Sequence, residues 1–135
     1  MRKIEKLIGS LREHLHHDEE IEATVMGVYE CEVFGVTIVQ NGLFIATDKR
    51  VIYYSKNMFG YTLEVFPYYT IISIEMRKGL IGYEFILVNV DKIVRMKWIR
   101  RGNANRYIEI VKHRMANKGF PQQKPVTVNT SNDII

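Results

Sequence analysis

Between Lys92 and Arg106 the sequence reads KIVRMKWIRRGNANR, with six basic residues and no acidic one. Guanidinium and ammonium groups at that density suit anions: phosphates, carboxylates or acidic headgroups. Alternation sorts them. Val94, Met96 and Trp98 fall on one phase, Arg95 and Lys97 on the other, as on a strand with one buried face. Trp98, the single tryptophan, is therefore expected as a core plug. Arg95 and Lys97 then face outward, and Arg100, Arg101 and Arg106 flank the strand-to-helix corner. These five form the candidate anion-binding face. Each cation near an anionic bilayer contributes about 1 kcal/mol, so about four to six would recruit the protein weakly. The plainer reading is that the charges solvate a strand and a helix back, their stems covering apolar surface.

Other chemistry is thinner. HLHHDEE places His14 and His17 three apart, a spacing that two metal ligands on a helix would use. No third and fourth ligands recur at a useful spacing, and His113 is the one histidine elsewhere, so no metal site is expected. Cys31 lies between Glu30 and Glu32, carboxylates that would raise a thiol pKa, and is not expected to act as a nucleophile. No Ser-His-Asp order, phosphate-cradling glycine loop or pair of catalytic carboxylates stands out. The expectation is no catalysis, no cofactor and no small-molecule substrate. Nucleic acid is not an expected partner either. Stacking needs exposed aromatics among the charges, and strand alternation buries about half of Tyr53, Tyr54, Tyr68, Tyr69 and Tyr107.

Periodicity assigns these residues to elements. Residues 2–17 carry Ile4, Leu7, Ile8, Leu11 and Leu15 on one helical stripe. Ile4, Leu7, Ile8 and Leu11 are the candidate partner helix: they pack on the domain or on a second copy. A membrane-lying role, with Lys3, Lys6 and Arg12 at the headgroups, is less favoured because the face is short and has no aromatic. Next, IEATVMGVYECEV alternates as a half-buried strand bent at Gly27. Strands then come densely: Leu43–Ala46, a turn near Asp48, Val51–Tyr54, YTLEVF, TIISIEM, YEFILVNV and KIVRMKWI. No helical pattern interrupts them, so the sheet should be an antiparallel meander. After Gly102 the stripe Ala104, Tyr107, Ile108, Val111, Met115 marks a helix, with Asn103 as N-cap and Gly119 as stop. The expected organisation is a helix at 1–18, a domain at 19–118 and a tail at 119–135.

Composition sets bounds. The 135 residues suffice for one domain, 47% hydrophobic and 25% charged. One cysteine forbids an internal disulfide and fits a reducing cytoplasm. No apolar run approaches the roughly 20 residues that cross a bilayer. The net charge of +4 hides an asymmetry. Seven acids and no Lys or Arg lie between Glu13 and Gly35; eleven Lys or Arg and three acids lie between Met76 and Lys118. Such polarity suits an anionic partner or head-to-tail self-association.

Seven strands followed by one helix is the order of the pleckstrin-homology (PH) fold. The expected class is α+β, mainly β: a partly open antiparallel barrel of two orthogonal sheets, closed by the C-terminal helix, with an extra N-terminal helix. NGLFIATDKRVIYYSK, LEVFPYYTIISIE and KGLIGYEFILV resemble the YokE-like bacterial PH family. Its pattern is matched by Gly42, Thr47, Asp48, Lys49, Arg50, Phe66, Pro67, Tyr68, Ile71 and Ile74, across residues 20–117. The resemblance implies a non-enzymatic domain of bacteria and their phages that is prone to oligomerise. The expected partner is then a protein or the chain itself, and a host protein if the gene is phage-borne. An anionic membrane, at the cytoplasmic face, is the alternative. Eukaryotic PH domains that bind phosphoinositides use basic residues on the first two strands, and Glu20 to Gln40 has none. The Thr47-Asp48-Lys49-Arg50 corner is expected to be structural: Thr47 and Asp48 accept hydrogen bonds from following amides, and Arg50 pairs with Asp48 or a neighbouring carboxylate.

Overall fold

The computed structural model describes residues 3–117, without the side chains of Val33 and Arg101. The expected tail at 119–135 and the helix stop at Gly119 lie outside the described residues. Helix α1 (Lys3–Leu11) leads through a 3-10 turn (Arg12–His14) into strands β1 (Ile21–Val33), β2 (Val36–Thr47), β3 (Arg50–Asn57) and β4 (Gly60–Pro67). A second 3-10 turn (Tyr68–Thr70) precedes β5 (Ile71–Lys78), β6 (Tyr83–Asn89), β7 (Ile93–Arg101) and helix α2 (Ala104–Asn117).

The strands form one antiparallel sheet in the order β4-β3-β2-β1-β7-β6-β5. The 13-residue β1 pairs with β2 on one side and β7 on the other, so the two expected layers are halves of one continuous ribbon. β4 and β5 are its free edges, and the seam between them keeps the barrel open. β2 begins at Val36, earlier than the expected Leu43, because residues 36–41 pair with Val28–Val33 of β1 to complete a long hairpin. Its first residues are exposed on both faces, which erased the alternation.

The inner face buries Val25, Tyr29, Phe44, Tyr53, Phe85 and Leu87, among others. Helix α2 adds Ala104, Tyr107, Ile108 and Val111 to the same core. Each large side chain removed from water there contributes about 1.5–3 kcal/mol. Asn103 starts the helix as its sequence suggests: its Oδ1 accepts the Arg106 N–H at 3.0 Å. Helix α1 covers the outside of the sheet. Leu7 and Leu11 are buried in a second cluster with Leu43, Ile45, Ile52 and Tyr54, and Ile4 and Ile8 pack against it.

Helix α1 stops at Leu11, short of the stripe's end at Leu15. The chain turns there because residues 14–20 are tied to the β2–β3 corner. Arg50 donates from Nη2 to the His14 carbonyl at 3.2 Å. It also holds the buried Glu19 carboxylate with two bonds, Nε to Oε2 at 2.9 Å and Nη2 to Oε1 at 3.0 Å. Thr47 donates its hydroxyl to Glu19 Oε2 at 2.6 Å and accepts the amides of Lys49 and Arg50, each at 3.0 Å. The Glu20 amide donates to Asp48 Oδ1 at 2.9 Å. Burial alone would push the Glu19 carboxyl up, but the bonds from Arg50, Thr47 and the His16 amide outweigh it and hold it at about 2. The corner motif is thus a clamp between the N-terminal segment and the sheet.

Candidate binding surface

Strand β7 carries most of the candidate residues, and it does not alternate to its end. Val94 and Met96 point inward as expected. Then the register slips: Phe85 pairs with Met96, but Tyr83, two residues back, pairs with Ile99. On the other side Val28 pairs with Lys97 and Met26 with Arg101. The extra residues form a bulge, which turns the phase. Trp98 sits there at φ 55° and points outward, 55% exposed, while Ile99 takes the core position at 1%. The expected core plug is therefore Ile99. A bulky residue in the left-handed region costs about 1–3 kcal/mol and persists where its surroundings dictate it. Two glycines give the bulge room. A Cβ on Gly27 would lie 2.6 Å from the Lys97 carbonyl oxygen, and one on Gly82 2.5 Å from that of Ile99.

The five basic candidates do not make one free positive face. Arg95 Nη1 meets Glu84 Oε2 at 3.1 Å, and Lys97 Nζ meets Glu30 Oε1 at 2.9 Å. Arg106 lies on α2, lining a cavity of about 430 Å3 with Glu22, Glu109, His113 and Arg114. Arg100 is exposed beside Trp98, and among the described residues it has no ion pair. The side chain of Arg101 lies outside the described residues. Nearby cations are engaged too. Lys92 pairs with Glu64 and Arg114 with Glu22. Burial disfavours the Lys92 ammonium, yet the Glu64 carboxylate raises its pKa; the hydrogen bonds that Arg114 donates to Glu22 raise that of Arg114. Ion pairs so placed add about 0–1 kcal/mol each to stability, but they cancel the field an anion would feel.

The stripe Ile4, Leu7, Ile8, Leu11 is spent on the fold: Leu7 and Leu11 are buried on β2 and β3. The His14 ring is taken up by Tyr54 and Tyr61, with centroids 5.7 and 4.5 Å away. Cys31 is buried, as its strand phase indicates.

Sequence periodicity passes over the connecting loops. In this sheet the β1–β2, β3–β4 and β6–β7 connections lie at one end, and α2 follows β7 at the other. The first end is apolar. Phe34 is 100% exposed, and Val36, Val39, Met58, Phe59 and Val90 are exposed with it. Phe34 has φ 52° and Gly35 φ 79°, so both central residues of the β1–β2 turn are left-handed. That geometry favours Asn-Gly, where this chain has Phe-Gly. The available signal was compositional: VFGV and NMFG put large apolar groups where turns take polar ones.

The barrel and its capping helix find parallels among solved structures. A DUF1696-family protein with a PH domain from Shewanella loihica PV-4 superposes with a TM-score of 0.56 at 13% identity, covering 85% of this chain and 99% of that one. The PH domain from Shewanella amazonensis SB2B gives 0.53 at 19%, covering 84% and 99%. The PH domain of USP37 gives 0.53 at 13%, covering 71% and 99%. At these identities the likeness is one of fold. No curated protein matches. PH domains are in general non-catalytic modules that bind proteins or lipids. The profile described as "Bacterial PH domain" takes in residues 15–113, from the Glu19 clamp through the bulged β7 to α2, and on that match the chain belongs to the bacterial PH domain family.

Proposed function

We propose that this chain is a non-enzymatic docking module that binds another protein, a second copy of itself included, through the apolar loop tips at the end of the barrel remote from α2. The supporting observation is Phe34. It is fully exposed and held at φ 52° on the hairpin tip. Both conditions are unfavourable for a phenylalanine, and no contact among the described residues offsets them. The motifs around Thr47–Arg50 and Phe66–Tyr68 support a place in the YokE-like branch, and the single buried cysteine supports action in the cytoplasm.

The alternative is a peripheral adaptor on anionic lipid, using Arg95, Lys97, Arg100, Arg101 and Arg106. It is less favoured because Arg95 and Lys97 already hold carboxylates. The test uses the full chain and its Phe34→Asn variant, since Asn tolerates the left-handed turn. Light scattering during size-exclusion chromatography and a tagged pull-down should show a complex that the variant loses. Undiminished complex formation by Phe34→Asn would refute the reading. Salt-sensitive sedimentation with anionic liposomes, lost on Arg100→Glu with Arg101→Glu, would favour the adaptor.

A further inference from the structure

We infer that Trp98 and Arg100 form a second, independent docking site, which takes a carboxylate-bearing apolar segment of a partner protein. It goes beyond the loop-tip reading, which rests on Phe34: Val28 lies five residues before the end of β1 at Val33, about 17 Å at the rise of a strand, and Phe34 is in the turn beyond.

Three features converge there. The bulge on β7 turns the only tryptophan outward, and Gly27 and Gly82 provide the backbone clearance the bulge needs. Bulges of this kind re-aim side chains at functional positions. Beside the indole is a depression of about 230 Å3 lined by Met26, Gly27, Val28, Asn41, Trp98 and Arg100. Met26, Val28 and Trp98 are its apolar lining, Asn41 brings an amide, and its charge is the Arg100 guanidinium. Trp and Arg are the residue types most enriched where binding energy concentrates.

Charge decides the occupant. The outer-face neighbours Lys97 and Arg95 are matched by Glu30 and Glu84, which leaves Arg100 as the unmatched cation of the depression. One guanidinium fits one carboxylate, by two parallel bonds, while the indole, Met26 and Val28 accept an adjoining apolar side chain. A bilayer or a nucleic acid would need several free cations together.

Because Trp98 is the sole tryptophan, emission of the intact chain reports on the site directly. The probes are the blocked peptide acetyl-Leu-Glu-Leu-Asp-amide and its counterpart with Gln and Asn in place of the acids. The acidic peptide should move the emission to shorter wavelength and saturate. The neutral peptide, and the acidic peptide with Arg100→Gln, should bind at least about tenfold more weakly. Arg100 is exposed, so the variant should keep the wild-type melting curve. Equal response to both peptides, or no effect of Arg100→Gln, overturns the inference. So does a shift produced by phosphatidylserine vesicles but not by peptide, which would mean a membrane. A shift that tracks protein concentration alone would mean a second copy and overturns it too. None of these outcomes depends on Phe34.

Discussion

Two tyrosines separate what a hydroxyl contributes from what a ring contributes. Tyr68 donates to the Thr47 carbonyl at 2.6 Å. Tyr107, also buried, has a hydroxyl with no partner among the described residues, and burial drives its pKa well above the usual value. Removing a satisfied buried hydroxyl strands its partner; removing an orphan relieves desolvation. Tyr68→Phe should therefore lower stability by about 0.5–1.5 kcal/mol, and Tyr107→Phe should leave it unchanged or raise it, in urea denaturation. Phe34→Asn should also stabilise, by about 1 kcal/mol, since it removes left-handed strain. Single residues were unevenly legible. Thr47 and Arg50 could be read because a hairpin corner must satisfy local donors. Trp98 could not, because its phase is turned by a bulge that needs room at Gly27 and Gly82, which reach β7 from elsewhere in the chain.

At the scale of elements, the N-terminal segment is held by a clamp and by a greasy face. The Glu19 carboxyl sits at about 2 in the folded chain against an ordinary value of 4.5. A depressed folded pKa gives stability that is whole above about 4.5 and is lost as pH falls toward 2. The full term is about 3 kcal/mol. Stability measured between pH 6 and 3 should fall accordingly, and Glu19→Gln should start lower and flatten that slope. Leu11→Ala, which empties the second cluster, should cost about 2–5 kcal/mol. Element type was legible nearly throughout, because the 2-residue and 3.6-residue periods survive wherever one face is buried. It failed where no face is: residues 36–41 of β2 are mostly exposed, so nothing in their order marks a strand.

At the scale of the molecule, the charge asymmetry of the sequence is largely consumed by topology. Acids early and bases late look like a dipole, but β1 lies against β7 and close to α2. Glu30 therefore meets Lys97, and Glu22 meets Arg114. Sequence position showed the segregation; only the order of strands shows the cancellation. The wild-type chain should not sediment with phosphatidylserine vesicles, whereas Glu30→Gln combined with Glu84→Gln should bind them in a salt-dependent way by releasing Lys97 and Arg95. The same adjacency has a consequence in time. Met26 pairs with Arg101, so during synthesis one flank of β1 waits for 75 more residues, about 4–15 s at ordinary elongation rates. Until then the nascent ribbon has an open flank that neighbouring chains on a polysome could occupy.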